Sequence, residues 1–258
     1  MNNFHILGGL PRSGITLLSA ILNVSPDIYV TPTSPFVELL WRNYSLWLDP
    51  DYIDDTTTER LQNAKIPFLQ KIAPAYFSQL TKTPYIVDKR RQWQSPKNIE
   101  MYREIYGRLP KIVCPVRSVV DVITSYKVLY KKNNMKWDLD SLKGNRFEAS
   151  YFALKQSYAM YPECFLLVEY ADIVRIPQQV INSVCEFLNF PAFDYDKTSP
   201  IKAFEPEANY GIKGLHELRT KLAISDDDPR NILTDEEYFM FKDWDFWKED
   251  VCTTPITK

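Results

Sequence analysis

Five short apolar segments recur along the chain and alternate with longer helical patterns. The segments are FHILGG (4–9), DIYVT (27–31), PYIVDK (84–89), KIVCPV (111–116) and CFLLVEY (164–170). Nearly continuous apolar strands that alternate with helices are typical of a parallel sheet buried on both faces. The sequence therefore predicts an α/β protein of three layers, with a central parallel sheet of about five strands and helices on both faces.

The predicted helices fill the intervals between these strands and continue after them. They cover 16–23, 36–48, 59–80, 98–107, 119–132, 147–161 and 177–189. No repeat or linker divides the chain, so we expect a single domain over 1–258 that carries a helical insertion at about 36–80. Residues 191–222 lack periodicity and predict a long loop over the sheet edge, and loops of this length are more often functional than idle.

Charge and targeting signals narrow the class of partner. The chain has 31 Lys and Arg against 33 Asp and Glu, a net charge of −2, which argues against nucleic acid or a membrane surface as the main partner. The absence of a signal segment and of an 18-residue apolar run predicts a cytoplasmic protein. The four cysteines form no CxxC pair and accompany no histidine cluster, so we expect reduced core thiols and no metal site.

Glycine is rare, and five of the seven glycines fall in two short segments, LGGLPRSG and YGIKG. Glycine marks backbone that is flexible or closely approached, so a ligand is expected at these two segments. The first lies between a predicted strand and a predicted helix, where backbone N–H groups can surround a phosphate. The GxxxxGK[ST] pattern of ATP and GTP hydrolases is absent from it.

The side chains of this first segment, GLPRSGITLL, suit an anion. Pro11 stiffens the start of the loop, and Arg12 supplies a fork of donors. Ser13 and Thr16 offer hydroxyl groups, and Gly14 lets the backbone approach an anion at the start of the helix. An ordinary strand-to-helix turn with a solvent-facing arginine is the alternative.

A second polar set follows the predicted strand KIVCPV. Arg117, Asp121 and Ser125 are spaced four residues apart and share one face of a predicted helix, so Arg117 and Ser125 can converge on one phosphate. The pattern also occurs by chance on solvated helix faces. At the carboxyl end of a parallel strand, however, it lies where α/β sheets bind ligands.

Together the two segments resemble the sulfotransferase family that uses 3′-phosphoadenosine 5′-phosphosulfate (PAPS) as donor. PRSGIT is similar to the family's loop around the 5′-phosphosulfate, with Ile15 in place of the usual Thr or Ser. Arg117, Asp121 and Ser125 match the segment that grips the 3′-phosphate. The resemblance implies a three-layer P-loop-like fold. It is a resemblance to the bacterial type, and a distant one to the tyrosylprotein sulfotransferases.

Three further stretches resemble the family in the same order along the chain. In LLVEYADIVRIPQQVINSVCEFLNF, Tyr170 stands where a tyrosine approaches the adenine. PYIVDKRRQW is similar to a DKsRgW motif of bacterial members and contains Lys89. YGIKGLHELRTKL is similar to the segment that closes over the nucleotide, so Lys213 and Gly214 are expected at the donor, with Lys213 on the 3′-phosphate side.

The resemblance implies transfer of a sulfuryl group from PAPS to a hydroxyl or amine, with no metal. Arg12 and Lys89 are expected to stabilise charge on the bridging oxygen as it leaves. The acceptor is expected to be a small molecule, a glycan or a peptide. The aromatic residues of the 36–80 insertion either wall the acceptor site or pack the core.

The catalytic base is the point at which the chain departs from its relatives. It lacks the histidine of the hydroxysteroid and phenol enzymes, because His5 lies inside the first strand and is expected to pack there. It also lacks the glutamate that follows the second strand in the tyrosylprotein enzymes. Glu38, about one helical turn further on, and Asp88, at the end of a strand, are the two candidates, and each also has a structural interpretation.

Two other functions stay open on the sequence. A P-loop kinase of small substrates would share the strand, loop and helix, but GITLL supplies no lysine for the phosphates. A non-catalytic protein that binds PAPS or its desulfonated product, 3′-phosphoadenosine 5′-phosphate (PAP), would explain the missing glutamate.

Overall fold

The computed structural model describes residues 4–49, 51, 59–142, 147–196, 212–215, 217–218, 222–224 and 227–248. Five strands form one sheet in the order β2-β3-β1-β4-β5, and every neighbouring pair is parallel. They are β1 (Phe4–Leu7), β2 (Ile28–Val30), β3 (Tyr85–Lys89), β4 (Ile112–Val116) and β5 (Phe165–Glu169). The five predicted strands are thus confirmed and differ from prediction only at their ends.

Eleven helices surround the sheet in the part of the chain that the structure describes. They are α1 (Ile15–Leu22), α2 (Phe36–Leu46), α3 (Glu59–Gln62), α4 (Lys65–Phe77), α5 (Pro96–Tyr106), α6 (Val119–Lys132), α7 (Glu148–Met160), α8 (Tyr170–Arg175), α9 (Pro177–Leu188), α10 (Pro229–Ile232) and α11 (Asp235–Phe241). Of these, α6 begins and ends at the predicted residues. No helix in these ranges is long and apolar enough to cross a bilayer.

The two faces of the sheet carry separate hydrophobic clusters. Ile6 packs in a cluster with α2, α4, α5, α6 and α7, whereas the next residue, Leu7, packs with α1, α8 and α9. Ile112 and Val113 divide in the same way. Side chains alternate between the faces of a strand, so strands that are apolar at every position need a layer of helices on each face. The three-layer prediction is confirmed.

The predicted helix over 59–80 is wrong in one respect, because the structure divides it into α3 and α4. Pro67 lies in the first turn of α4, where a missing N–H costs no hydrogen bond. In one continuous helix its ring would clash with the carbonyl of Asn63, which favours a restart just before it, whereas α4 accommodates Pro74 in its interior.

The aromatic residues of the 36–80 insertion mostly pack in the core. Phe36 is 0% exposed and lies within 4.8 Å of Phe77 and 5.5 Å of Phe4, centroid to centroid. Tyr44 is also buried. Tyr52 lies outside the described residues. Core packing accounts for the buried rings, whereas Phe68 is 48% exposed, and an acceptor-side role for the insertion stays a prediction.

Chain order brings the central strand β1 to a topological switch point. From β1 the chain runs to the outer strand β2, returns to β3 beside β1, and crosses to β4 on the other side. In open α/β sheets, ligands bind at such a point, outside the carboxyl ends of the strands. The segments that follow β1, β3, β4 and β5 meet there.

Candidate active site

A cavity of about 630 Å³ lies at the carboxyl ends of the strands. Six of its described lining residues are basic and two are acidic. The basic residues are Arg12, Lys89, Arg90, Arg91, Arg117 and Lys132, and the acidic ones are Glu217 and Asp227. The chain as a whole has a net charge of −2, so the positive charge is concentrated at this site. Such a site favours an anionic ligand.

The loop between β1 and α1 forms one wall of this cavity. Pro11, Arg12, Gly14, Ile15 and Thr16 all line it. No side chain caps the N-terminus of α1, and the first N–H groups of a helix have no acceptor within the helix. The positive end of the helix dipole therefore faces the cavity, as expected of an anion site.

Backbone geometry in the loop explains two of its residues. Gly14 has a φ of 102°, and a Cβ there would lie 2.7 Å from Cδ2 of Tyr170. Only glycine meets both conditions without strain. Arg12 has a φ of 65°, a conformation uncommon outside glycine and often found at functional sites.

Ser13 differs from its predicted role as a ligand contact. Its hydroxyl lies 2.6 Å from the carbonyl oxygens of both Leu10 and Pro115, and the residue is fully buried. The hydroxyl has one proton and donates it to the protein backbone. Ser13 therefore joins the loop to β4 and does not line the cavity.

Arg12 connects the three segments that surround the cavity. Its Nε donates to Oγ of Ser125 on α6 over 3.1 Å, and its Nη1 donates to the carbonyl oxygen of Leu215. The structure thus brings Arg12 and Ser125, predicted from separate motifs, into direct contact. It also places the late glycine-bearing segment across the opening of the loop.

Arg117 and Tyr170 extend the wall that the loop begins. The Cζ atom of Arg117 lies 4.9 Å from the centroid of the Tyr170 ring, a cation–π contact. Nε of Arg117 also lies 3.7 Å from Oδ2 of Asp121. Because the same ring packs against Gly14, these residues form one contiguous surface between β4 and β5.

The DKRRQW segment supplies three of the six basic side chains. Lys89 ends β3 and is 5% exposed, and its side chain lines the cavity. Arg90 donates to Oε1 of Glu38 through Nε, over 2.8 Å, and through Nη2. Arg91 donates to Oγ of Ser150 over 3.2 Å. Burial and the charge of Arg90 lower the pKa of Arg91, so an anion in the cavity would relieve an unfavourable cation.

Asp88 differs from its predicted role as a base. It is 0% exposed and does not line the cavity. Its Oδ2 accepts from Nε1 of Trp93 over 2.6 Å, and its Oδ1 accepts from Oγ1 of Thr31 over 3.3 Å. Burial raises the pKa of Asp88 to about 6. A carboxylate in this position has no path to a substrate hydroxyl.

Glu38 is better placed than Asp88 to accept a proton, although it too lies outside the cavity lining. Its Oε1 holds Arg90, which does line the cavity. Its Oε2 is buried and has no hydrogen-bond partner among the described residues. This oxygen is unpaired but closed to the cavity, whereas the Glu38 side chain as a whole is 38% exposed.

The segment that contains Lys213 lies against the end of α6. The backbone N–H of Lys213 donates to Oδ1 of Asn133 over 3.0 Å, and Nδ2 of Asn133 donates back to the Lys213 carbonyl over 2.9 Å. Gly214 lines the cavity. Lys213 itself is exposed and lies outside the lining, whereas Lys132 lines it and pairs with Glu217 over 3.4 Å. Gly211 and His216 of this segment lie outside the described residues.

Sequence reasoning missed Arg90, Arg91 and Lys132 as cavity residues. The signal for the two arginines was present, because they directly follow Lys89 in a matched motif. Lys132 lies at the end of a helix rich in basic residues, where nothing in the sequence distinguishes it from Lys131. Among the described residues, no group of three or more His, Cys, Asp and Glu side chains is placed to hold a metal ion.

Comparisons with known proteins identify the family and the fold. A family model described as the sulfotransferase family matches residues 6–195. The fold is similar to mouse sulfotransferase SULT7A1 complexed with PAP, with 14% identity, 99% of this chain and 87% of that chain covered, and a TM-score of 0.53. It is also similar to the sulfotransferase domain of the Synechococcus PCC 7002 olefin synthase, with 19% identity, 93% and 92% covered, and a TM-score of 0.51. No curated protein matches by sequence.

Proposed function

The chain belongs to the sulfotransferase family, and on that premise we propose that it transfers the sulfuryl group of PAPS to a hydroxyl or amine acceptor. The observation that carries the proposal is the concentration of basic side chains around the N-terminus of α1. PAPS bears anionic groups at both its 5′ and 3′ positions. A cavity with basic residues on the loop, on α6 and after β3 offers a counter-charge for each.

We assign the parts of the donor by the segments that face them. The 5′-phosphosulfate lies on the β1–α1 loop, where the backbone of Gly14, Ile15 and Thr16 and the side chain of Arg12 line the cavity. The 3′-phosphate lies between Arg117 and Ser125.

On this assignment, the adenine stacks on Tyr170, the ring that forms the wall beside Gly14. Gly214 and Lys132 close the same end. Lys132 replaces Lys213 in the predicted role of a lysine on the 3′-phosphate side.

The residues of the chain then supply the chemistry. Arg12 and Lys89 stabilise the charge that develops on the bridging oxygen as the sulfuryl group departs. Glu38 accepts the proton of the acceptor once its side chain, which is partly exposed, turns its buried and unpaired Oε2 toward the cavity. This places the acceptor on the α2 side of the cavity. A small molecule, a glycan or a peptide suits this assignment.

Binding and turnover test the proposal together. Calorimetry with PAP, with and without a chelator, should give the same affinity, and ATP should bind more weakly. Turnover of PAPS labelled with ³⁵S over a panel of phenols, glycans, peptides and amines should give a sulfated product. Glu38→Gln should lower kcat and leave the affinity for PAP unchanged. Equal affinity for ATP, or a requirement for magnesium, would refute the assignment of the donor.

A non-catalytic protein that binds PAP is the second candidate. One observation favours it, namely that neither Glu38 nor Asp88 lines the cavity. The same assays distinguish the two functions. Tight binding of PAP without turnover of any acceptor in the panel would favour the second.

A further inference from the structure

A buried polar cluster lies directly beneath the basic segment that follows β3. It consists of Asp88, Thr31, Ser34 and Trp93, all nearly or fully inaccessible to solvent. Burying a carboxylate is costly unless donors satisfy it. Asp88 receives hydrogen bonds from Trp93, Thr31 and Ser34 and yet touches no part of the cavity. The proposed reaction so far gives this cluster no role.

One side of the cluster acts on the backbone of Lys89. Oγ1 of Thr31 donates to Oδ1 of Asp88 over 3.3 Å and accepts from the Lys89 N–H over 2.8 Å. A hydroxyl has one proton, so donation to Asp88 directs the lone pairs of Thr31 toward that N–H. The carboxylate thereby orients the hydrogen bond that holds Lys89.

The other side of the cluster acts on the end of the segment. Nε1 of Trp93 donates to Oδ2 of Asp88 over 2.6 Å, which fastens the 3₁₀ turn Arg91–Gln94 to the end of β3. The four residues between these two attachments all line the cavity. They are Lys89, Arg90, Arg91 and Gln92.

We propose that Asp88 is a positioning residue, which acts through Thr31 and Trp93 to hold both ends of the segment 89–92 and to aim its basic side chains at the reacting group. The inference rests on the proposed function for the identity of that group. It assigns Asp88 no contact with substrate. Fixed placement of charge is what makes such donors effective, and displacement by about 1 Å can cost on the order of a hundredfold in rate.

The protonation state of Asp88 offers one readout. The groups that face it are Thr31 and Ser34 from the segment after β2, Trp93 from the 3₁₀ turn, and Glu38 from α2. Burial raises the pKa of Asp88 to about 6, and the charge of Glu38 acts in the same direction. A protonated carboxyl would be a donor facing other donors. The value of kcat at saturating donor should therefore fall as the pH falls through about 6, and Asp88→Asn should remove that inflection.

Two variants test the two attachments separately, and a third serves as the control. Thr31→Val removes the link to Lys89 with little change of shape. Trp93→Phe removes the link to the 3₁₀ turn together with part of a buried ring. Trp137→Phe is the matched control, because Nε1 of Trp137 donates to Oε1 of Glu237 over 2.6 Å and neither residue lines the cavity. For each variant, kcat, the affinity for PAP and the thermal midpoint are measured.

We expect Thr31→Val and Trp93→Phe to lower kcat by tenfold to on the order of a hundredfold. PAP affinity should stay within about threefold, because the β1–α1 loop, Arg117 and Ser125 still hold the donor phosphates. Trp137→Phe should lower only the thermal midpoint. Asp88→Asn, which keeps an oxygen for Trp93, should retain more activity than Asp88→Ala. Values of kcat within twofold of the parent for both test variants would overturn the proposal. If the parent protein binds PAP but transfers no sulfuryl group, the proposed function is refuted instead. Crystal structures of Thr31→Val and Trp93→Phe then test the positioning role of Asp88, since the segment 89–92 should move in both; an unmoved segment would overturn it.

Discussion

Replacement of Gly14 by alanine should weaken the nucleotide site as well as lower the stability of the protein. Gly14 has a φ of 102°, which an alanine adopts only at a cost of about 1–3 kcal/mol. The added Cβ would lie 2.7 Å from Cδ2 of Tyr170, so the tyrosine ring must move. Arg117, whose Cζ lies 4.9 Å from the centroid of that ring, would lose this cation–π contact and keep only Asp121 as a partner.

The size of the effect follows from the role assigned to Tyr170. Stacking of a base on an aromatic side chain is worth about 1–3 kcal/mol, and every 1.4 kcal/mol is about tenfold in affinity. Displacement of the ring should therefore weaken PAP binding by on the order of tenfold to a hundredfold. Arg12 and Ser125 do not depend on the ring, so binding should be weakened and not abolished.

Calorimetry with PAP and thermal unfolding measure the two effects separately. Gly107→Ala is the matched control, because Gly107 has a φ of 67° and no atom lies within 4 Å of its added Cβ. That variant should cost about 1 kcal/mol of stability and bind PAP as the parent does. Parental affinity in Gly14→Ala, or an equal loss in Gly107→Ala, would refute the reasoning.

Three further outcomes are expected. Arg12→Ala and Lys89→Ala should each lower kcat by about a hundredfold to a thousandfold, the usual cost of losing one donor to a developing charge. Steady-state rates with labelled PAPS check this, and changes of only a fewfold would exclude the two residues from the transfer step. Arg117→Ala and Ser125→Ala should raise the donor KM and nearly preserve kcat, because the 3′-phosphate does not react; a collapse of kcat at saturating donor would contradict it. Burial and nearby basic side chains lower the pKa of His5 from 6.5 to about 4, so between these pH values the unfolded chain binds more protons than the folded one. The contribution of His5 to the free energy of unfolding therefore falls by up to about 1.4 kcal/mol per pH unit as the pH drops from 6.5 toward 4. His5→Phe should lack this loss in denaturant titrations, and identical pH profiles of the two proteins would count against it.

Much of the fold is determined by local sequence. Ile6 and Leu7, or Ile112 and Val113, are adjacent apolar residues in short runs, and such runs are stable only between two layers of helices. The bounds of α6 follow from its own apolar period and from the strand that precedes it. The anion-binding loop PRSGIT can also be predicted from the sequence, because a strand, a glycine-containing turn and a helix in succession place backbone N–H groups around an anion.

The tertiary structure alone decided which polar residues face the cavity. Residues 87–89 alternate between the faces of the sheet, but the sequence does not tell which of the two faces is covered by other elements at the end of β3 and which is open to the cavity. The fold encloses Asp88 beneath Trp93 and leaves Lys89 open to the cavity. Glu38 is drawn to Arg90, more than fifty residues away, and Ser13 to a carbonyl of β4. Propensity and periodicity act over a few residues, whereas the burial of a carboxylate or a hydroxyl depends on which distant segments pack over it.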